Sequence, residues 1–139
     1  ANYLMAELSK AGFEIAYPTR RASHEFIVTM KDIKDKTGVT AMNLAKRLLD
    51  KGYHAPTTYF PMLVPECLLI EPAETESKET LDAFVSSMKE ILQEIEQQPD
   101  MVKGAPHTMS VRKLDDVKAA RELDLTWKPS ALSKSQASR

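Results

Sequence analysis

The spacing of apolar residues changes several times along the chain. From Asn2 to Lys10, Leu4, Met5 and Leu8 recur at helical steps, and Gly12 is placed to cap the end. Phe13 to Tyr17 then alternates Phe, Ile and Tyr with Glu and Ala, which predicts a short half-buried strand that Pro18 stops. The stretch "HEFIVTM" (His24–Met30) is rich in β-formers and reads as a second strand. "KDIKDKTGVT" reads as a connection carrying a helical turn. Thr40 is suited to cap a helix whose apolar face holds Ala41, Leu44, Ala45, Leu48 and Leu49, with Gly52 closing it.

The next stretch, "GYHAPTTYFPMLVPECLLIEPAE" (Gly52–Glu74), holds four of the eight prolines and the only cysteine. Most of it reads as a stiff connection, while "CLLIE" is a continuous apolar run suited to a central strand that Pro72 ends. The strongest periodicity follows. Leu81, Phe84, Val85, Met88, Ile91, Leu92 and Ile95 step by three and four, with Ser77 or Thr75 as N-cap and Pro99 as terminator. Beyond Asp100 the chain is polar and mixed, and "KLDDVKAAREL" predicts one short helix.

The order α-β-β-α-β-α predicts an α+β fold, a small, mostly antiparallel sheet with helices packed on one face. Residues 1–127 form the expected domain. Residues 128–139, small, polar and free of aromatics, read as a disordered tail. Helices on one face leave the other to water-tolerant residues or to a partner, and an exposed docking face of that kind predicts weak self-association.

Composition narrows the functional classes without choosing one. The 139 residues carry a net charge of −1, with 42% hydrophobic and 28% charged residues. There is no basic excess to suggest a nucleic-acid partner, and no apolar run approaches the roughly 20 residues of a membrane helix. A lone cysteine cannot pair within the chain, which favours a reducing, cytoplasmic setting. The first residue is Ala1, inside a stretch already helical in pattern, and reads as a fragment boundary.

Tests for chemistry leave three clusters. His24, His54 and His107 lack metal-ligand spacing, so no metal site is expected. Cys67 lies beside Leu68, Leu69 and Ile70 and reads as a buried structural thiol, not a nucleophile. Glu90 and Glu94 fall on the polar face of the long helix and read as solvated. In "TRRASHE", Arg20 and Arg21 form either a carboxylate clamp or a solvated strand start. In "YHAPTTYF", His54, Thr57 and Thr58 form either a binding edge or ordinary structural polar groups. Glu71, at a strand end in "IEPAETES", either binds a ligand or accepts local backbone hydrogen bonds.

Three strings in order resemble one family: "SHEFIV", "GVTAMNLAKRLLDKGYHAPTTYFP" and "LLIEPAETESKETLDAFVSSMKEI". They are similar to the C-terminal region of the P-protein of the glycine cleavage system, the pyridoxal-phosphate (PLP)-dependent glycine dehydrogenase (decarboxylating). The likeness covers residues 1–127. "APHTMSVRKLDDVKAARELDLTW" is closer to subunit 2 of the bacterial two-subunit form. The resemblance implies the small C-terminal domain of a fold-type-I PLP enzyme. The whole enzyme would decarboxylate glycine, with PLP as electron sink, and pass the aminomethyl group to the lipoyl arm of the H-protein. Implied partners are the large PLP-binding domain of the same chain, P-protein subunit 1, lipoylated H-protein and glycine.

The family's PLP lysine segment is absent here, so neither bound PLP nor activity is expected of this piece alone. The resemblance places His54, Thr57, Thr58, His24 and Glu71 along the cleft as candidates. Arg20 and Arg21 are candidates for a substrate carboxylate. A free-standing α+β interaction or small-ligand module is the alternative.

Overall fold

The centre of the sheet follows directly from the two most β-prone stretches. Strands β2 (Phe26–Thr29) and β4 (Cys67–Ile70) pair antiparallel, with Phe26 opposite Ile70 and Thr29 opposite Cys67. The computed structural model describes residues 1–126. Two-residue edge strands complete the sheet, β1 (Glu14–Ile15) beside β2 and β3 (Thr57–Thr58) beside β4, in the order β1-β2-β4-β3. All pairings are antiparallel, so the α+β expectation holds.

Alternation along the strands sorts the two faces. Ile15, Phe26, Val28, Leu68 and Ile70 share the inner face and are buried. They meet helices α1 (Asn2–Lys10), α3 (Ala41–Asp50) and α4 (Lys78–Gln97) through Leu8, Leu44, Leu48, Met88 and Ile91. At roughly 25 cal/mol per Å² of apolar area, this shared core is the main source of stability. The outer face was expected to lie open and is only partly so. The loop between β3 and β4 folds over the Thr29–Cys67 end. There Thr29 Oγ1 donates to Pro65 O at 2.9 Å, and Cys67 is fully buried beneath Pro61. Ile27 and Leu69 remain half-exposed.

Caps fix the helix ends where the sequence placed them. Thr40 and Asn43 form a reciprocal capping box at α3, and Ser77 caps α4. Such caps contribute about 1 kcal/mol each. Gly52, at φ +83°, completes a Schellman turn after α3, with Tyr53 N–H bonded to Leu48 O and Gly52 N–H to Leu49 O.

Other elements differ from expectation. The strands are shorter than the Phe13–Tyr17 and His24–Met30 stretches, because pairing partners exist for only two and four residues. The 31–40 connection contains a full helix, α2 (Lys31–Thr37), ended by Gly38 at φ +73°. Pro99 does not simply stop α4. It sits at the first turn of a new helix, α5 (Pro99–Lys103), where a missing N–H costs nothing. Helix α6 (Asp116–Arg121) is the predicted short one and buries no residue. The 128–139 tail lies outside the described residues.

Candidate functional site

The Schellman turn at Gly52 sets the geometry of the site. It turns the chain off α3 so that Tyr53 packs edge-on against Phe84 of α4, with ring centroids 5.3 Å apart. His54, Ala55 and Pro56 then lead into β3, where Thr57 pairs with Leu69. Across the sheet end, β4 passes through Ile70 into Glu71 and Pro72, which lead towards the start of α4. These walls enclose a hollow of about 420 Å³. Its polar lining includes His54, Thr57, Glu71, Glu76 and Thr80, and its apolar lining includes Leu4, Tyr53, Pro56 and Phe84.

Three of the sequence candidates, His54, Thr57 and Glu71, therefore meet in one hollow. Neither His54 nor Glu71 has a side-chain hydrogen bond or ion pair among the described residues. Thr58 and His24 do not join them. Thr58 pairs with Leu68 and so belongs to the inner side of the sheet. His24 projects from the 16–25 loop, with Nδ1 2.9 Å from Ser23 Oγ and Nε2 3.9 Å from Glu25.

Arg20 and Arg21 line a neighbouring, smaller hollow of about 220 Å³ with Tyr17, Ser23 and Glu25. The Arg20 guanidinium lies 5.8 Å from the centre of the Tyr17 ring. Leu69 borders both hollows. The arginines and the His54–Glu71 group thus occupy adjacent recesses on either side of one leucine.

Sequence reasoning missed Glu76, Thr80 and the Tyr53–Phe84 wall. Glu76 and Thr80 were within reach, because "EPAETESKET" carries them one turn from a predicted helix start. The aromatic pair joins positions 31 residues apart and leaves no local signal.

A hollow of this kind suits a small ligand with an apolar body and hydrogen-bond donors or positive charge, which Glu71 and Glu76 would accept. It does not fit PLP as a complete site. No lysine lines either hollow, and the carboxylates of Glu71 and Glu76 would oppose a phosphate. Among the described residues there is no cluster of three or more metal-ligating side chains. No helix among them is long and apolar enough to cross a membrane. Cys67 is buried, and desolvation pushes its thiol pKa up, as befits an inert thiol.

A second polar cluster lies between α3 and α4. Glu94 was expected to be solvated, yet its carboxylate receives both Arg47 Nε and a terminal Arg47 nitrogen at 2.8 Å. Only Glu90 is exposed as expected, and it pairs with Lys51. The other face of Arg47 reaches Asp50 Oδ2 at 3.0 Å. Asp50 Oδ1 accepts three bonds from the His107–Thr108 turn, at 2.7, 2.8 and 2.9 Å. Burial works against ionisation of Asp50, but donation from Thr108, Arg47 and His107 outweighs it and brings the pKa down to about 2. The Arg47 hydrogen bond is the main cause lowering the Glu94 pKa.

The family model "Glycine dehydrogenase, C-terminal domain" matches residues 1–112. The chain is 86% identical over 128 residues to a protein of Nitrosospira multiformis named "Probable glycine dehydrogenase (decarboxylating) subunit 2". That match spans 92% of this chain and 26% of the relative. Proteins of the same name from Nitrosomonas europaea and Legionella pneumophila (strain Lens) are 84% and 68% identical. They are matched over 93% and 91% of this chain and 27% and 26% of their own lengths. The chain thus spans about a quarter of the length of these relatives.

Proposed function

The chain belongs to the family of glycine dehydrogenase C-terminal domains, and from that premise we propose that it is the closing domain of a PLP-dependent glycine decarboxylase of the glycine cleavage system. The match over residues 1–112 carries this reading. In the complete cytoplasmic enzyme the larger, preceding part of the polypeptide holds PLP. The aminomethyl group left after glycine loses CO2 passes to the lipoyl arm of the H-protein, and subunit 1 completes the assembly.

The role of this domain is to supply one wall of the cleft. His54, Thr57 and Glu71 present side-chain hydrogen-bonding groups that have no partner among the described residues. Tyr53, Phe84 and Pro56 supply an apolar surface that keeps water from the ligand. Arg20 and Arg21 are the candidates for pairing with the glycine carboxylate, because a guanidinium fork matches a carboxylate in geometry and charge. No catalytic residue is assigned to this domain, and it is inactive alone.

The test is glycine–bicarbonate exchange by the full-length polypeptide containing this chain, mixed with subunit 1, lipoylated H-protein and PLP. Exchange that needs all the components supports the reading. A fully assembled, PLP-loaded complex with no exchange would refute it, as would exchange by the 139-residue chain alone.

A further inference from the structure

Glycine carries both of its charged groups on one carbon, so both must be met within a few ångströms of each other. Glu71 cannot meet its ammonium while Arg20 and Arg21 hold its carboxylate, because Leu69 stands between the two recesses. If the arginines take the carboxylate, the partner of the ammonium must come from the arginine recess itself. Among the described residues, Glu25 is the one carboxylate that lines it.

The loop that carries these groups is pinned on both sides of the arginines. Before them, Arg20 N–H bonds Tyr17 O at 3.1 Å across a turn that contains Pro18, and Ala16 N–H bonds Ile27 O at 3.0 Å. After them, Asn2 clasps the backbone of Ala22, donating to its carbonyl at 2.8 Å and accepting its N–H at 2.9 Å. Glu25 then sits immediately before the central strand β2. Beneath the charges, Met5, Phe26, Ile27 and Leu69 supply apolar surface. Charges held over such a floor interact more strongly than in open water.

The charged groups of the recess are also free. Neither guanidinium has a hydrogen bond or ion pair among the described residues, and Arg20 rests only on the Tyr17 ring. Lys34, Arg47, Lys51 and Lys78 differ, since each pairs with a carboxylate. His24 Nε2, at 3.9 Å from Glu25, is too far away for a hydrogen bond. The recess holds about 220 Å³. A sphere of that volume is about 7–8 Å across, the scale of a small amino acid with a hydrogen bond of about 2.9 Å at each end.

We propose that Glu25 recognises the ammonium group of glycine, and that Arg20, Arg21 and Glu25 together capture the free zwitterion beside the reacting hollow. The proposal rests on the glycine decarboxylase reading given above and deepens it. The arginines alone would accept any small carboxylate. Glu25 narrows the choice, because a carboxylate without an ammonium group meets it as a like charge, while an amine without a carboxylate meets two guanidiniums.

The experiment measures the dissociation constants of N,N-dimethylglycine and of acetate for the full-length polypeptide by calorimetry. N,N-dimethylglycine is a zwitterion whose tertiary nitrogen cannot condense with an aldehyde, so it reports recognition without reaction. The parent should bind it more tightly than acetate. Glu25→Gln should weaken it about fivefold or more, the scale of a partly exposed charge-assisted hydrogen bond, and leave acetate equal or tighter. Arg21→Gln should weaken both ligands. A parent without preference for the zwitterion overturns the proposal, as does an Arg21→Gln variant that binds acetate like the parent. So does a Glu25→Gln variant that binds both ligands like the parent or loses both to the same degree, as a merely structural role would require. Glycine–bicarbonate exchange separates the two claims. A parent complex that prefers the zwitterion through Glu25 but shows no exchange refutes only the enzymatic reading. Exchange whose KM for glycine is unmoved by Glu25→Gln refutes only the capture site.

Discussion

Two polar clusters on this domain use similar residues and end in opposite states. Between α3 and α4, Arg47, Asp50 and Glu94 are bonded to one another and to the His107–Thr108 turn. At the sheet end, His54 and Glu71 face a hollow of about 420 Å³, and their side chains bond to nothing among the described residues. The first arrangement satisfies its charges internally, so it acts on stability. The second leaves its groups available to something outside. A glutamate is structural in one place and a candidate for binding in the other, and only geometry separates the two.

The contrast is sharpest at Arg47. Replacing it with Met leaves Glu94 without its main partner and removes one of the four bonds to Asp50. Removing one member of a fully buried pair costs about 3–5 kcal/mol. Arg47 and Glu94 keep 14% and 19% side-chain exposure, so a loss of roughly 2–3 kcal/mol is expected in urea unfolding of the chain. A change below about 0.5 kcal/mol would place this cluster with ordinary surface pairs.

Asp50 gives the next effect, and it depends on pH. Its pKa falls from the ordinary 3.8 to about 2 on folding. A depressed carboxyl stabilises the fold above its unfolded pKa, and that stabilisation is lost as pH falls through the folded value. The difference in stability between the parent and Asp50→Asn should therefore be about 2 kcal/mol larger at pH 6 than at pH 2. A difference that stays constant across this window would contradict the assigned bonds.

Gly52 links the two regions, since it ends α3 and aims Tyr53 and His54 at the hollow. A Cβ there would meet no atom within 4 Å, yet φ is +83°. Gly52→Ala thus tests backbone strain without a clash, with an expected cost of about 1 kcal/mol by thermal unfolding. The smallest stability effect belongs to the hollow itself. Glu71→Gln should change unfolding free energy by less than about 0.5 kcal/mol, because no side-chain bond to another described residue is lost. A larger loss would mean that Glu71 belongs with the structural cluster.

Much of the fold was legible because it is local. The three- and four-residue steps from Leu81 to Ile95, the caps at Thr40 and Ser77, and the apolar run "CLLI" each carry their own signal. Strand β3 did not, since two threonines have no period to read, and it exists only because Leu68 and Leu69 offer partners. Helix α2 was hidden for a related reason. It buries no residue fully, so no clear apolar stripe marks it. The bond between Arg47 and Glu94 joins residues 47 positions apart, and Glu94 alone looked like any exposed helix carboxylate. In the hollow, "HAPT" and "IEP" pointed to His54, Thr57 and Glu71, but nothing in the sequence could say that Thr58 turns inward while Arg20 and Arg21 line a separate recess.

The most direct test of the account is to replace His54 with Ala in the full-length polypeptide, assembled with its partners, and to measure glycine–bicarbonate exchange beside unfolding free energy. If the unbonded wall faces the reacting cleft, exchange falls by about tenfold or more, the worth of one well-placed hydrogen bond, while stability stays within about 0.5 kcal/mol of the parent. Exchange at the parental rate in a folded, assembled protein would contradict the claim that this hollow faces the chemistry.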